Sequence, residues 1–353
     1  MYKKIFMGIA AAAALTLVSC SSDDLNSLSD NSSKNEAISF DGYLGRSAVS
    51  VNGSRGSVET KDQLKTDGFG VFGNYKIDEG TEFGSNWFDN VQVKYSSTDT
   101  KWTYSPVQYW LPQGHIDFLA YAPYDSKYNN QVTKDDQKLE FTVSSTITTQ
   151  KDLLWANAKG QTKANIANTD NKVKFQFAHA LSRLGYTVKL KEAYSDATIM
   201  LNKITLAGSE NGTKEAFYTE GTIDLSKANN DPDLWKPSTT KQKFDWSFSN
   251  QTLATTDYKN PDADYLFVIP QNFSASATDK LYVIVEYTIE GYKGVTTPMK
   301  NTVCKQLDNE FKQGKAYTIN LTIGLTPIEF DADVTPWTDD NNKNTDINID
   351  SWN

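Results

Sequence analysis

Histidine and cysteine are scarce in this chain of 353 residues, which contains only two of each. His115 and His179 lie in no H-x-x-x-H motif, and no C-x-x-C or G-x-S-x-G pattern brings metal ligands or a nucleophile together. We therefore predict no metal site, no cofactor and no enzymatic activity. The alternative is a glycosidase, an enzyme that uses a pair of carboxylates, since the chain has 44 acidic residues. No motif indicates such a pair.

The two cysteines, Cys20 and Cys304, do not suggest a disulfide. Cys20 follows a secretory signal and is assigned to lipid below, which leaves Cys304 without an intrachain partner. Cys304 has neither a histidine beside it nor a helical context, so we interpret it as a partly buried thiol. The stability of the protein must then come from the packing of its core.

No apolar run after the first 18 residues is long enough to cross a bilayer. Lys3 and Lys4 precede a mainly apolar run from Ile5 to Val18, which is typical of a secretory signal peptide. The run has 14 residues, fewer than the roughly 20 that a transmembrane helix needs. We predict that residues 1–19 form the signal peptide and that the mature chain has no transmembrane helix.

The signal ends at Leu17-Val18-Ser19-Cys20, which resembles the lipobox read by lipoprotein signal peptidase. Cys20 is then acylated, and two or more acyl chains anchor a protein stably to a membrane. A polar tether, residues 20–36, follows and opens with Ser21-Ser22-Asp23-Asp24. This opening resembles the surface-export signal of outer-membrane lipoproteins, so we expect a surface-exposed lipoprotein of the outer membrane. An ordinary signal peptide with a chance cysteine is the alternative.

An excess of basic residues is also missing, since the formal net charge is −9. Removal of Lys3 and Lys4 with the signal peptide makes the mature chain more acidic still. A phosphate backbone attracts basic surfaces, so we expect no nucleic-acid partner.

What the chain does contain is aromatic residues, with 18 Tyr, 17 Phe and 8 Trp. From Ile38 onward the apolar residues recur with a period of two, which predicts strands with one face in the core. The clearest cases are Trp102 and Tyr104; Ile116 and Phe118; Phe175 and Phe177; Leu184, Tyr186, Val188 and Leu190; Phe244, Trp246 and Phe248; and Tyr317, Ile319, Leu321 and Ile323. Two nearly continuous apolar runs, residues 265–269 and 281–289, indicate strands buried on both faces.

The length exceeds what one hydrophobic core usually supports, so two domains are expected. The polar stretch from Ala156 to Lys172 contains few aromatic residues and is the best candidate for a boundary. We predict an all-β protein of two antiparallel β-sandwiches, residues 37–168 and residues 169–353.

Several phrases of the sequence together resemble the fimbrillin family, the subunits and accessory lipoproteins of surface pili in Bacteroides-like bacteria. They occur in family order over nearly the whole mature chain. In this sequence they read Gly70-Val71-Phe72-Gly73; Trp102-Thr103-Tyr104-Ser105-Pro106; Tyr109-Trp110-Leu111-Pro112; Ile116-Asp117-Phe118-Leu119-Ala120-Tyr121-Ala122-Pro123; Asp152-Leu153-Leu154-Trp155-Ala156; Phe175-Gln176-Phe177-Ala178-His179-Ala180-Leu181-Ser182-Arg183-Leu184; Val268-Ile269-Pro270-Gln271; Gly314-Lys315-Ala316-Tyr317; and Val334-Thr335-Pro336-Trp337.

The resemblance implies two tandem transthyretin-like β-sandwich domains and a mode of assembly. In the family, a protease cuts the surface lipoprotein after an arginine near its N-terminus, and the first strand leaves a groove. The C-terminal strand of another subunit fills that groove by donor-strand exchange. The implied partners are other fimbrial subunits, whether copies of this chain or different proteins, and the implied location after maturation is the fimbrium.

Mapped onto this sequence, the removable strand covers about Ala37 to Leu44, with Ile38, Phe40 and Leu44 as inward side chains. Arg46 and Arg55 are the available cleavage sites. We prefer Arg46 because it follows the strand directly, whereas Arg55 lies in a Gly- and Ser-rich stretch that a protease can reach. The alternative is that both arginines are ordinary solvated residues, because related lipoproteins can stay uncut.

Two C-terminal segments are candidate donor strands. Ile328, Phe330 and Val334 alternate with polar residues, and Ile347 and Ile349 do so after a polar spacer. The alternative is that the first segment is the last strand of the second sandwich and the second is a frayed tail.

A binding function is the runner-up. A lipid-anchored tandem sandwich with many tryptophans could instead hold a surface glycan by stacking sugars on exposed rings. Most of these aromatic residues alternate as core residues do, which argues against exposed platforms. Both functions are compatible with a host or bacterial surface ligand.

Overall fold

The chain folds into β-sheets, with helix restricted to short connections. The computed structural model describes residues 36–44, 59–78, 81–82, 87–229, 231–325 and 329–336. Together the described residues form 24 strands and one α-helix, so the all-β prediction is confirmed. No helix among them is both long and apolar enough to cross a membrane.

Nine strands precede residue 180. They are β1 (Phe40–Leu44), β2 (Phe69–Asp78), β3 (Thr81–Glu82), β4 (Phe88–Ser96), β5 (Lys101–Thr103), β6 (His115–Ala122), β7 (Lys138–Thr142), β8 (Leu154–Gln161) and β9 (Val173–His179).

Fifteen strands follow. They are β10 (Ser182–Leu190), β11 (Thr198–Ala207), β12 (Phe217–Tyr218), β13 (Glu220–Asp224), β14 (Trp235–Pro237), β15 (Lys241–Gln242), β16 (Phe244–Thr252), β17 (Tyr258–Lys259), β18 (Leu266–Val268), β19 (Gln271–Asn272), β20 (Tyr282–Glu290), β21 (Met299–Gln306), β22 (Glu310–Phe311), β23 (Lys315–Ile323) and β24 (Glu329–Pro336).

The single α-helix, α1 (Lys61–Asp67), begins and ends at sequence signals that suit a helix. Thr60 lies at its N-cap, where its side chain accepts a hydrogen bond from the backbone N–H of Gln63 at 3.2 Å. Gly68 ends it with φ of 70°, a backbone conformation that favours glycine. Five short 3₁₀ turns are found elsewhere among the described residues: Ser126–Tyr128, Ile147–Thr149, Asn165–Thr169, Asp262–Asp264 and Tyr292–Gly294.

The period-two pattern of the sequence matches the burial of the strands. In β9 the apolar positions Val173, Phe175 and Phe177 are buried while their neighbours are more exposed. The same alternation is seen in β23. Leu266, Phe267 and Val268 of β18 are all fully buried, as the continuous run predicts. Cys304, on β21, is partly buried, as expected.

The sheets pair some strands that are close in sequence and others that are far apart in sequence. The largest sheet has the order β1-β9-β8-β6-β2-β4-β5, with β3 paired to β2. A second has the order β17-β10-β23-β24, with β18 also on β10, and a third has the order β16-β11-β20-β21. Neighbouring strands are antiparallel in these three sheets, except that β1 is parallel to β9 and β10 is parallel to β23.

Two clusters of buried side chains form the core. One contains residues 38–177 and is centred on aromatic residues of the largest sheet. The other joins residues 72–155 to residues 180–323. Strand β7 contributes to this second cluster and pairs with β13, so the two halves of the chain share one small sheet. The division between residues 168 and 169 stays a prediction, as does the transthyretin-like topology of each half.

Candidate functional site: the groove that holds the first strand

Strand β1 lies between two different segments of the chain. Its residues Phe40–Leu44 pair in parallel with Val173–Phe177 of β9, and the backbone N–H of Val173 donates to the Ser39 carbonyl at 2.8 Å. On the other side, the N–H of Ile38 donates to the Gln108 carbonyl at 2.8 Å. We call the space between β9 and residues 108–110 the β1 groove.

Phe40 occupies the most aromatic part of the β1 groove. It is 2% exposed, and its ring lies 5.2 to 5.7 Å from the rings of Phe88, Tyr104, Phe118 and Phe175. Aromatic pairs at such distances stabilise a fold beyond the area they bury. The predicted inward side chain of the first strand is therefore a large apolar group that fills a specific pocket.

Ile38 and Leu44 occupy the two ends of the groove. Ile38 is 1% exposed, and its carbonyl accepts a hydrogen bond from the Tyr104 hydroxyl at 2.8 Å. Leu44 is partly buried and packs against the same core cluster. Tyr43, at an outward position of the same strand, is 40% exposed. Ile38 and Phe40 are thus buried and Leu44 is partly buried, while their assignment to a removable strand stays a prediction.

Gly42 marks a position where the groove has no room for a side chain. A Cβ atom at this residue would lie 2.9 Å from Cε1 of Phe69 and 3.2 Å from Cε2 of Phe177. Contacts this short require the rings to move. Sequence reasoning missed Gly42, although a glycine inside an alternating strand is itself a sign of close approach by a neighbour.

The chain contains only three arginines, and one of them lies inside a strand. Arg183 lies inside β10, paired with Phe267 of β18 on one edge and with Ala316 of β23 on the other. Its guanidinium also lies 4.3 Å from the centroid of the Tyr265 ring. Arg46 and Arg55, the two predicted cleavage sites, both lie in the segment that separates β1 from the rest of the sheet, outside the described residues.

A buried polar cluster holds the chain where it re-enters the fold after that segment. The backbone N–H of Glu59 donates to Oδ2 of Asp152 at 3.0 Å, and Nδ1 of His179 lies 2.7 Å from the same oxygen. All three side chains are buried, with Glu59 3% and Asp152 1% exposed. His179 ends β9, the strand on which Leu44 pairs with Phe177. Both ends of the segment 45–58 are therefore attached near the end of β9.

The cluster makes Glu59 an unusual carboxyl group. Burial, and to a smaller extent the nearby Asp67 and Asp152, raises the pKa of Glu59 to about 9. Oε1 of Glu59 has no hydrogen-bond partner in the structure. Glu59 is thus protonated at neutral pH. His179, interpreted from the sequence as a structural residue, is buried in the same cluster.

The C-terminal donor-strand candidates lie partly outside the described residues. Residues 329–336 form β24, which pairs antiparallel with β23 over its whole length, so the backbone at Phe330 and Val334 belongs to the second sheet. Ile328, Ile347 and Ile349 lie outside the described residues, and so does Cys20. The roles of these residues as donors or lipid carrier stay predictions.

A cavity of about 590 Å³ lies away from the β1 groove, beside strand β16. Trp246 and Tyr186 line it, yet each is at most 5% exposed. Among the described tryptophans none is exposed; Trp87, Trp102 and Trp235 are partly buried and the others are buried. The described residues therefore offer no row of exposed indole rings on which sugars would stack.

Comparison with known proteins places this architecture in one family. The model of the fimbrillin-like family matches residues 57–337. A fimbrial protein from Bacteroides vulgatus has a similar structure, with a TM-score of 0.65, 21% identity, and coverage of 86% of this chain and 100% of that one. A candidate cell adhesion protein from Parabacteroides distasonis gives a TM-score of 0.50 at 12% identity, covering 86% and 96%.

Curated proteins yield no match to this chain. At such low identities the two structures establish similarity of fold, while the family model covers most of the sequence. The order of the quoted phrases and the folded structure agree with that match. The chain is therefore a member of the fimbrillin-like family.

Proposed function

We propose that this protein is a structural subunit or accessory protein of a cell-surface fimbrium, assembled by donor-strand exchange after proteolysis behind β1. The observation that carries the proposal is the way β1 is held. Its deeply buried residues Ile38 and Phe40 fill a groove in the largest sheet, yet the only covalent connection from the strand to β2 and the strands that follow is the segment that contains Arg46 and Arg55.

Loss of β1 would expose a strand edge and part of the apolar core. The edge of β9 would expose unpaired backbone groups, and the rings around Phe40 would meet water. Burying a phenylalanine side chain contributes about 1.5–3 kcal/mol, so the opened subunit gains free energy when an apolar strand fills the groove. The chain beyond both cleavage sites is held to the fold by the hydrogen bond from the backbone N–H of Glu59 to Asp152.

The experiment is limited digestion of the mature chain with an arginine-specific protease. We expect release of a fragment ending at Arg46 or Arg55, followed by polymers detected by size-exclusion chromatography and electron microscopy. Single Arg46→Lys and Arg55→Lys variants identify the site that is used, and the double variant serves as the uncut control. A cut protein that keeps β1 and stays monomeric would contradict the proposal.

The lipid anchor and the outer-membrane location are a second part of the proposal. They rest on the signal peptide and on Cys20, which precede the described residues. We expect cells to incorporate labelled palmitate into the precursor and to hold it in the outer membrane fraction. A Cys20→Ser variant should lose the label, and labelling of that variant would contradict acylation at Cys20.

A further inference from the structure

We call the cavity of about 590 Å³ beside β16 the β16 cavity. It combines aromatic rings with one carboxylate that has no cationic partner among the described residues. We propose that it binds a small organic cation, whose charged nitrogen lies against the rings of Phe248 and Tyr258 and next to the carboxylate of Asp264. This site goes beyond the proposed function, because it shares no residue with the β1 groove and needs no strand exchange.

The β16 cavity lies where the edges of two sheets meet. Strand β16 ends the order of one sheet and β17 ends the order of another, and residues of both strands line the cavity. The loop that follows β7 closes one side, since the side-chain amide of Gln242 donates a hydrogen bond to the Ser145 carbonyl at 2.8 Å. Segments that are far apart in the sequence therefore build the wall together.

Four aromatic side chains form the base of the cavity. The centroid of the Tyr186 ring lies 5.1 Å from that of Trp246 and 5.6 Å from that of Phe248. Tyr186 and Trp246 are buried, whereas Phe248 and Tyr258 are only partly buried and line the cavity. The planes of these last two rings cross at 73°, with centroids 6.1 Å apart, so they form a corner. A cation is attracted to the face of an aromatic ring within about 6 Å of its centroid.

Asp264 supplies the negative charge. Its N–H donates to the Pro261 carbonyl at 2.9 Å, and its own carbonyl accepts a hydrogen bond from Nε1 of Trp246 at 2.7 Å, so its backbone is fixed beside the rings. Burial of the side chain raises the pKa of the carboxyl above its ordinary value. No ion pair involves Asp264 in the part of the chain that the structure describes. A cation bound beside this carboxylate would offset the cost of its burial.

The other charged side chains that line the cavity have partners of their own. Nζ of Lys243 donates to the Gly212 carbonyl at 2.7 Å. The carboxylate of Asp245 lies 3.5 Å from Nζ of Lys203. Asp264 therefore carries the charge that a ligand meets without competition, and an anionic ligand is disfavoured.

The size and the rim of the cavity indicate what else the cation carries. Pockets of roughly 300–1,000 Å³ hold small organic molecules, so 590 Å³ exceeds the needs of a bare ion. Thr146, Thr148 and Ser249 also line it, and a hydroxyl side chain both donates and accepts hydrogen bonds. No three His, Cys, Asp or Glu side chains gather to hold a metal ion among the described residues. The ligand class is therefore an alkylammonium, with room for a polar group.

The test compares two cations with their neutral counterparts. Choline is paired with 3,3-dimethyl-1-butanol, in which a carbon replaces the charged nitrogen, and butylamine is paired with butanol. Isothermal titration calorimetry of the uncut mature chain at pH 7 measures all four. We expect at least one cation to bind at millimolar concentrations and its neutral counterpart to bind at least about tenfold more weakly, since the attraction to the rings and the carboxylate is lost.

Matched variants assign the binding to this cavity. Asp264→Asn removes the charge with little change of shape and should weaken cation binding at least about tenfold. Asp262→Asn alters an exposed residue of the same 3₁₀ turn that does not line the cavity, and should change binding by less than about twofold. Phe248→Leu keeps an apolar side chain without the ring and should weaken binding about fivefold. Thermal unfolding without ligand verifies that each variant is folded.

The outcomes decide the proposal by charge and by place. Equal binding of the cations and their neutral counterparts would overturn it, and so would equal effects of Asp264→Asn and Asp262→Asn. Absence of binding by both cations at about 10 mM would also overturn it. Binding of one cation alone, lost in Asp264→Asn, supports the proposal and identifies a quaternary or a primary ammonium. The uncut chain is used throughout, so these results leave strand exchange to its own test.

Discussion

Two pairs of strands among the described residues are parallel, and the first strand of each pair, β1 or β10, is held very differently. Strand β1 pairs with β9 and ends the order of its sheet, whereas β10 pairs with β23 on one edge and with β17 and β18 on the other. An arginine follows β1 two residues after its end, but the arginine of β10 lies inside the strand. From this comparison we expect the first strand to be separable from the fold and β10 not to be.

The sharpest test of this comparison is the rate of cleavage at the three arginines. We expect an arginine-specific protease to cut after Arg46 or Arg55 at least about a thousandfold faster than after Arg183, since cleavage inside β10 requires the strand to unpair on both edges. Mass spectrometry of a digestion time course measures both rates. Early fragments that begin at Leu184 would remove the distinction between the two strands.

A large loss of stability is expected from Phe40→Ala. Truncation of a buried phenylalanine costs about 3–5 kcal/mol, and here it would empty the centre of four ring contacts. Urea unfolding of the uncut variant measures the loss in the free energy of unfolding. The matched control is the same variant after cleavage and release of β1, which should unfold like the equally treated wild type. A persistent difference would show that Phe40 does not act through β1.

Gly42→Leu should destabilise the uncut protein by about 1–3 kcal/mol, because the new side chain has to displace the rings of Phe69 and Phe177. Tyr43→Ser, on the next and exposed position, should change the free energy of unfolding by no more than about 0.5 kcal/mol. Thermal and urea unfolding of the two variants side by side check the pair. Equal effects would mean that close packing at Gly42 is not limiting.

The smallest expected effect concerns the residue that fixes the chain beyond the cleavage segment. Burial raises the pKa of Glu59 from 4.5 to about 9. Between these values the folded chain keeps a proton that the unfolded chain has released, so the free energy of unfolding falls as pH rises through this range. Glu59→Gln should remove that slope and stabilise the protein at pH 8 by about 1–2 kcal/mol, since the amide also needs buried hydrogen bonds.

Unfolding curves at pH 4 and pH 8 check this prediction. At pH 4 the carboxyl is largely protonated in both states, so only the cost of burying the amide remains and the variant should be less stable than the wild type. An equal pH dependence in the two proteins would assign the slope to other groups.

Local pattern predicted much of this fold from the sequence. Alternation of apolar residues located β9, β10 and β23, because the side-chain period of a strand is visible in a few consecutive residues. The first strand and its inward residues Ile38 and Phe40 were assigned through the resemblance to the fimbrillin family. The sequence did not reveal that β1 runs parallel to β9 or that β7 pairs with β13, because partners so far apart leave no local trace.

The buried cluster escaped prediction for a similar reason. Glu59 and Asp152 are separated by 93 positions, and each looks like an ordinary surface acid until the fold removes both from water. Asp152 and His179 do lie in two of the phrases that resemble the fimbrillin family. Their contact suggests why those phrases belong together: one supplies the carboxylate that receives the imidazole of the other.

The position of β1 at the end of its sheet has a consequence for the symmetry of the proposed assembly. If a strand of one copy replaces β1 in the next, each contact joins two unlike surfaces, a groove and a strand. Such a contact is heterologous, so no two-fold axis relates the copies, and unless the rotation closes a ring the assembly continues without limit. Its two ends differ chemically, one with an empty groove and one with an uncommitted strand. A fibre built in this way has a direction.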